Sequence, residues 1–99
     1  MWRWKPAANL RLDQFLSESR IIKRRTQAKL ACDNQIVSVD GLVAKPSKEV
    51  KVGQKIRIEF IYRTLEFEVL EIPRGSVRKD LARNLYRILK EEKKTVELD

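Results

Sequence analysis

Six basic side chains cluster in the first third of the chain, and their type and spacing suit anion binding. They are Arg11, Arg20, Lys23, Arg24, Arg25 and Lys29. Guanidinium groups form paired hydrogen bonds to phosphates and stack on bases, so an arginine-rich cluster suits a nucleic-acid backbone. A solvated helix face is the alternative, because Lys and Arg are common on any protein surface. Only Glu18 lies close enough in sequence to balance these charges, which favours the anion-binding interpretation.

Charge is distributed unevenly along the 99 residues. The first thirty residues hold eight Lys or Arg against two acids, a net charge of +6 out of the total of +8. Residues 31–72 hold six against seven, a net charge of −1, and residues 73–99 hold eight against five, a net charge of +3. A basic field concentrated in one segment is typical of proteins with a polyanion partner, most often RNA or DNA.

The side chains needed for catalysis or metal binding are scarce. The chain has no His and one cysteine, Cys32, so the commonest general base and a thiolate metal cluster are both excluded. The three glycines stand at isolated positions, and no phosphate-binding glycine loop is present. We therefore expect a binding module and not an enzyme, with no cofactor, no metal and no catalytic residue.

Length and composition predict one domain in the cytoplasm. Ninety-nine residues suffice for one modest core. No apolar run approaches the roughly 18 residues of a membrane span, and residues 1–9 do not resemble a signal peptide. A lone cysteine fits a reducing compartment. Trp2 and Trp4 could stack on bases, but a flexible terminal extension over residues 1–9 is the simpler expectation.

Apolar periodicity predicts two helices near the start of the chain. The first is expected over residues 10–17, with Leu12, Phe15 and Leu16 on its buried face. The second is expected from Arg24 to Asp33, with an inner stripe formed by Ala28, Ala31 and Cys32. Asn34 is expected to be a left-handed cap, and Gln35, where glycine would be easier, predicts a slightly strained turn.

Alternating residues predict a sheet after these helices, and a third helix after the sheet. Strand signals begin at Ile36, Asp40-Gly41 predicts a hairpin turn, and residues 45–48 read as a loop. Residues 56–60 and 65–69 alternate as a second hairpin turning near Arg63, and Pro73 and Gly75 should end the sheet. The last helix is predicted over residues 77–94, capped by Ser76. Its apolar stripe would consist of Leu81, Leu85, Ile88 and Leu89, with Lys79, Arg83, Arg87 and Lys90 on the opposite face.

Four segments together resemble the RNA-binding domain of the ribosomal protein S-four type. They are RLDQFL, KRRTQAK, VSVDG and AKPSKEVKVGQKI, and the resemblance covers about residues 10–62. KRRTQAK and LARNLYRILKEEK are most similar to the stand-alone bacterial RqcP group, and the related fifteen-kilodalton heat-shock protein group shares the first half. The resemblance implies an α+β fold: two N-terminal helices packed on a small, bent, mainly antiparallel sheet, plus a C-terminal helix. It implies an RNA-binding domain over residues 10–72, followed by a helix and short tail over residues 73–99.

The same resemblance implies a ribosome-associated quality control function. Members of the RqcP group bind ribosomal RNA and tRNA on large ribosomal subunits from stalled ribosomes. There they stabilise peptidyl-tRNA and support alanine tailing by a partner of the RqcH type. We expect the chain to act on RNA as a monomer, with neither DNA nor membrane as a partner.

The RNA-binding residues are predicted from both sources. Arg11, Asp13 and Arg25 match the family positions implicated in RNA contact. Charge and helix geometry add Arg20, Lys23, Arg24 and Lys29, and the loop after the first hairpin adds Lys45 and Lys48. Because a carboxylate repels phosphate, Asp13 is expected to orient Arg11 or Arg25. A simple helix-start acid is the alternative for Asp13.

Three other functional hypotheses fit the sequence. The chain could be a ribosome recycling factor of the heat-shock type. It could be an RNA-targeting accessory domain for a separate rRNA-modifying enzyme, such as a pseudouridine synthase or methyltransferase. It could also be a protein adaptor that docks through the apolar stripe of the last helix.

Overall fold

The computed structural model describes residues 10–73 and 78–94, which form two helices and seven strands. The helices are α1 (Leu12–Glu18) and α2 (Arg25–Asp33). The strands are β1 (Leu10–Arg11), β2 (Val37–Val39), β3 (Leu42–Val43), β4 (Glu49–Val50), β5 (Lys55–Glu59), β6 (Arg63–Val69) and β7 (Tyr86–Lys93). A single 3₁₀ turn spans Ala82–Leu85. Neither α-helix is long and apolar enough to cross a membrane.

Helix α1 begins without a side-chain N-cap because the loop before β4 satisfies its first N–H groups. The Leu12 N–H donates to the Lys48 carbonyl (2.8 Å) and the Asp13 N–H to the Pro46 carbonyl (3.2 Å). The Gln14 N–H donates to Asp13 Oδ1 (2.8 Å). Strand β1, which the sequence analysis assigned to the helix, pairs antiparallel with β4. The start of α1 is therefore fixed to residues 46–50.

Helix α2 ends in a Schellman motif, and its left-handed residue is Gln35. The Gln35 N–H donates to the Cys32 carbonyl (3.0 Å) and the Ile36 N–H to the Ala31 carbonyl (3.2 Å). Gln35 has φ 63°, whereas Asn34 has φ −83°. The prediction that Asn34 would take the left-handed position is therefore wrong by one residue. The backbone strain is therefore expected at Gln35, because this residue has a side chain at a left-handed position that glycine adopts without steric cost.

Five strands form one antiparallel sheet in the order β3-β2-β5-β6-β7. The predicted hairpin at Asp40-Gly41 is confirmed: both residues have positive φ (50° and 87°), as a type I′ turn requires. Asp40 Oδ1 also accepts the Lys55 N–H (3.0 Å), which ties this turn to β5. The predicted hairpin of β5 and β6 is confirmed as well, with Ile58 opposite Leu65.

The core lies between the two helices and the inner face of this sheet. Leu12, Phe15 and Leu16 of α1 are fully buried, as their spacing predicted. Phe15 stacks on Phe67 of β6 with ring centroids 6.4 Å apart. The predicted inner stripe of α2 is buried too, and its small residues allow the two helices to pack closely.

The predicted C-terminal helix is wrong. After the 3₁₀ turn the chain enters β7, which pairs with β6 from Tyr86↔Val69 to Lys93↔Arg63. The predicted apolar stripe is not a buried face, because Leu81, Ile88 and Leu89 are 41–46% exposed and only Leu85 is buried. The predicted cap at Ser76 lies outside the described residues. The adaptor hypothesis loses its basis, since it required a helical stripe.

Strand β7 forms because β6 offers a complementary partner. The Arg87 guanidinium donates to Glu68 (2.8 Å) and the Arg63 guanidinium to Glu91 (2.8 Å), both across the β6–β7 pair. Tyr86 packs edge-on against Phe67 with centroids 5.6 Å apart. Opposite charges at cross-strand positions stabilise a sheet, and Arg87, which was predicted on the polar face of a helix, is one of these charges.

Replacing Gln35 by glycine tests the ending of α2. We expect Gln35→Gly to raise the free energy of unfolding by about 0.5 to 1 kcal/mol, because glycine adopts a left-handed conformation without steric cost. Asn34→Gly is the matched control, and it should destabilise the protein because residue 34 has negative φ. Urea unfolding of both variants measures the difference. The reverse ranking would contradict this helix ending.

Candidate nucleic-acid interface

A buried carboxylate holds two surface arginines at one end of the helix pair. Arg11 forms a fork with Asp13, with Nε 3.2 Å from Oδ1 and Nη2 3.2 Å from Oδ2. Arg25 approaches the same group, with Nε 3.7 Å from Oδ2. The Asp13 side chain is 3% exposed, whereas those of Arg11 and Arg25 are 48% and 50% exposed. We call these three residues the Asp13 cluster.

Three local features of the chain place the Asp13 cluster. Arg11 lies in β1, Asp13 in the first turn of α1, and Arg25 at the first position of α2. Packing of α1 on α2 then brings residues 13 and 25 together. Asp13 forms the charge-assisted hydrogen bonds with Arg11 that an orienting role requires, and Arg25 lies alongside. The helix-start alternative also applies, because Asp13 accepts the Gln14 N–H.

The guanidinium groups keep most of their hydrogen-bonding capacity. A guanidinium carries five N–H donors in a fixed plane. Arg11 uses Nε and one Nη2 hydrogen on Asp13, and Arg25 presents only Nε to it. The remaining donors belong to half-exposed side chains: the fork with Asp13 fixes the guanidinium plane of Arg11, and Arg25 is attracted to the same carboxylate. This arrangement suits a tetrahedral anion such as a phosphate.

A groove extends from the Asp13 cluster toward the first hairpin. Arg11, Lys29 and Lys45 all line it, with Asp33 and Ser47 on its walls. Lys48 and Lys45 together line an adjoining groove beside β3. The loop carrying these lysines is the one whose carbonyls accept the first N–H groups of α1. The anchored loop therefore adds two lysines to the same surface.

Four basic residues of the five-stranded sheet pair with acids, whereas most of the basic residues around the helices do not. Arg57 pairs with Glu59, Arg63 with Glu91, Arg87 with Glu68 and Lys90 with Glu92, all within 3.1 Å. Among the residues in the described ranges, Lys23, Arg24, Lys29, Lys45 and Lys48 form no ion pair. These five cations lie around the helices and in the 45–48 loop, where they are available to an external anion.

Comparison with known proteins identifies the family. The S4 domain family matches residues 10–56. The chain is 43% identical over 84 residues to the RQC P-site tRNA stabilizing factor of Bacillus subtilis, covering 85% of this chain and 96% of the relative. The factor of the same name from Streptococcus pneumoniae is 42% identical over 82 residues, covering 83% and 92%. The chain belongs to this S4-domain family.

A solved structure shares the fold of this S4-domain protein. The trimeric structure of Vibrio cholerae Heat Shock Protein 15 superposes with a TM-score of 0.75 at 29% identity, covering 81% of each chain. The resemblance inferred from the sequence is thereby confirmed, both to the S4 type and to the heat-shock relative.

The structure gathers some predicted site residues and separates others. Arg11, Asp13, Arg25, Lys29 and Lys45 lie together within the matched S4 region, with Lys48 in the adjoining groove. Lys23 and Arg24 are exposed on the connection that leads into α2. Arg20 lies elsewhere, in a groove with Lys79 and Arg83. The sequence analysis missed that grouping because it placed Lys79 and Arg83 on a helix.

Cys32 borders the groove but is a core residue. Its side chain is 3% exposed, and burial together with the nearby carboxylates of Asp13 and Asp33 raises the pKa of the thiol to about 11. The thiolate is therefore scarce at neutral pH.

Slow alkylation of Cys32 is the expected consequence. At pH 8 the native protein should react with iodoacetamide at least tenfold more slowly than protein unfolded in urea, because both burial and the raised pKa suppress the thiolate. Since the folded-state pKa is raised, the free energy of unfolding should fall as pH rises above about 9, where the unfolded thiol ionises first. Mass spectrometry follows the alkylation. Equal rates in the native and unfolded states would contradict this placement.

Proposed function

We propose that this protein binds ribosomal RNA and tRNA on large ribosomal subunits released from stalled ribosomes and stabilises peptidyl-tRNA there. In this role it would support alanine tailing by a partner of the RqcH type. The relatives named RQC P-site tRNA stabilizing factor support the proposal, since they match over nearly their whole length.

The observation that carries the proposal is the Asp13 cluster. A buried carboxylate fixes the half-exposed guanidinium plane of Arg11 and attracts the guanidinium of Arg25, and Lys29 and Lys45 extend the positive surface from them. Fixed donors lose little conformational entropy when they bind a phosphate, so the surface is preorganised for an RNA backbone. Lys23, Arg24 and Lys48 would add weaker, long-range attraction.

The mechanism requires no bond to be made or broken. The protein would contact phosphates of ribosomal RNA and of the tRNA at the same time, so departure of the tRNA would require breaking contacts on both sides. Because these contacts are charge-assisted and exposed, they release counterions and weaken with added salt. Residence of the tRNA would be prolonged through slower dissociation.

Replacing Asp13 by asparagine tests whether its negative charge orients the two arginines for RNA binding. Asp13→Asn keeps an oxygen for the Gln14 N–H but removes the charge that fixes Arg11 and Arg25. We expect RNA affinity to fall about tenfold, which corresponds to one lost charge-assisted contact. We expect the free energy of unfolding to fall by no more than about 1 kcal/mol, since both arginines are half-exposed. Fluorescence anisotropy with labelled tRNA and thermal melting measure the two effects.

Asp33→Asn is the matched control for this variant. Asp33 lines the groove beside Arg11 and carries the same charge as Asp13, but among the described residues it forms no ion pair with an arginine. Its removal should leave RNA affinity unchanged or slightly higher, because the groove becomes more positive. Similar effects of the two substitutions would contradict the orienting role of Asp13.

Co-sedimentation tests the ribosomal function itself. Tagged protein should sediment with free large subunits that retain tRNA, and sequencing of the bound RNAs should recover ribosomal RNA and tRNA. Binding should weaken on the order of a thousandfold between 50 and 200 mM salt if six or more phosphates are contacted. Arg25→Gln should reduce the bound fraction, whereas Arg57→Gln on the sheet should not. Recovery mainly with intact translating ribosomes or with DNA would overturn the proposal.

A ribosome recycling factor of the heat-shock type is the second candidate. The fold similarity to Heat Shock Protein 15 favours it. Ribosome profiles of cells that lack the gene separate the two, because recycling would fail mainly under heat and tRNA stabilisation mainly under stalling.

A further inference from the structure

A second basic groove lies at the other end of α1. Arg20 enters it from the connection after α1, and Lys79 and Arg83 enter it from the segment before β7. Ser19 and Tyr86 also line this groove. Three cations from two distant parts of the chain therefore face one concave surface.

The charges in this groove are not balanced within the described ranges. Asp80 also borders it, but Arg78 already pairs with Asp80 at 3.0 Å. Arg20, Lys79 and Arg83 form no ion pair with any residue that the structure describes. Arginines of the sheet, by contrast, have carboxylate partners. The three cations are thus available to an external anion.

The walls of the groove are rigidly held. Ser19 is buried, and its hydroxyl donates to the Leu16 carbonyl (3.2 Å). Tyr86 packs on Phe67, which in turn stacks on Phe15. Lys79 lies in a turn closed by the Leu81 and Ala82 N–H groups on the Arg78 carbonyl, and Leu85 anchors the other end in the core. The cations are therefore presented on fixed backbone.

Arg20 occupies a backbone position that disfavours a side chain. Its φ is 62°, in the left-handed region where glycine has no steric cost. A strained non-glycine residue on the surface is a reason to look for a function of its side chain. Binding of an anion by the guanidinium would account for an arginine at this position.

We propose that Arg20, Lys79 and Arg83 form a second phosphate-binding cluster for RNA; this inference rests on the proposed function. α1 has seven residues, so at about 1.5 Å per residue the two clusters lie about 10 Å apart along its axis. One phosphate cannot span that distance, so each cluster contacts a different phosphate. The second cluster therefore adds phosphate contacts of its own to those of the Asp13 cluster.

Salt-dependent binding of labelled tRNA tests the second cluster. We expect the triple variant Arg20→Gln, Lys79→Gln, Arg83→Gln to reduce the slope of log affinity against log salt by about 2, since each lost phosphate contact lowers it by about 0.7 to 0.9. The matched control is Lys55→Gln, Arg57→Gln, Lys90→Gln, which removes the same charge from the sheet and should lower the slope by less than half as much. Circular dichroism melting verifies that both variants fold.

Arg25→Gln in the same assay separates failure of this inference from failure of the proposed function. If Arg25→Gln weakens binding and the triple variant behaves like its sheet control, the second cluster is overturned and the proposed function stands. If wild-type protein does not bind tRNA or ribosomal RNA, the proposed function fails and this inference with it. Additive losses from the two clusters support both.

Replacing Arg20 by glycine distinguishes a role of its side chain in RNA binding from a structural role. Glycine relieves the left-handed strain, so the melting temperature should stay the same or rise while tRNA affinity falls several-fold. A lower melting temperature with unchanged affinity would assign Arg20 a structural role and overturn its place in the cluster.

Discussion

The buried carboxylate of Asp13 is the interaction on which the functional surface depends. It accepts the N–H of Gln14 at the start of α1 and faces the guanidiniums of Arg11 and Arg25. One side chain thus links β1, α1 and α2. A buried charge is tolerated because its oxygens are satisfied, and the cost of desolvating the arginines is small since both remain half-exposed.

Charge balance divides the molecule into two parts. On the sheet, Arg57, Arg63 and Arg87 lie beside glutamates, and these pairs support strand pairing. Around the helices and the 45–48 loop the lysines lack such partners within the described residues. A protein that needed only solubility would not require this separation, whereas a protein that binds a polyanion on one face does.

Residues 78–93, near the end of the described part of the chain, complete the five-stranded sheet and supply two cations of the second basic groove. Strand β7 covers the edge of β6, and Leu85 before it fills the core. The same segment places Lys79 and Arg83 beside Arg20. A helix in this position would have presented these residues differently, so the second basic groove exists only because the segment turns and then pairs as a strand.

The sequence by itself determined α1, α2 and the first two hairpins, because their signals are local: apolar spacing in residues 12–16 and the Asp40-Gly41 turn. Through the family resemblance it also predicted Arg11, Asp13 and Arg25 as RNA-contacting residues, and the structure brings these three side chains together. Only the tertiary structure decided that residues 86–93 form a strand, since their pairing partners in β6 lie 17 to 30 residues earlier in the chain. It also decided which basic residues share a surface, because the packing of α1 against α2 and the pairing of β7 with β6 fix where each cation lies, and no local pattern encodes these contacts.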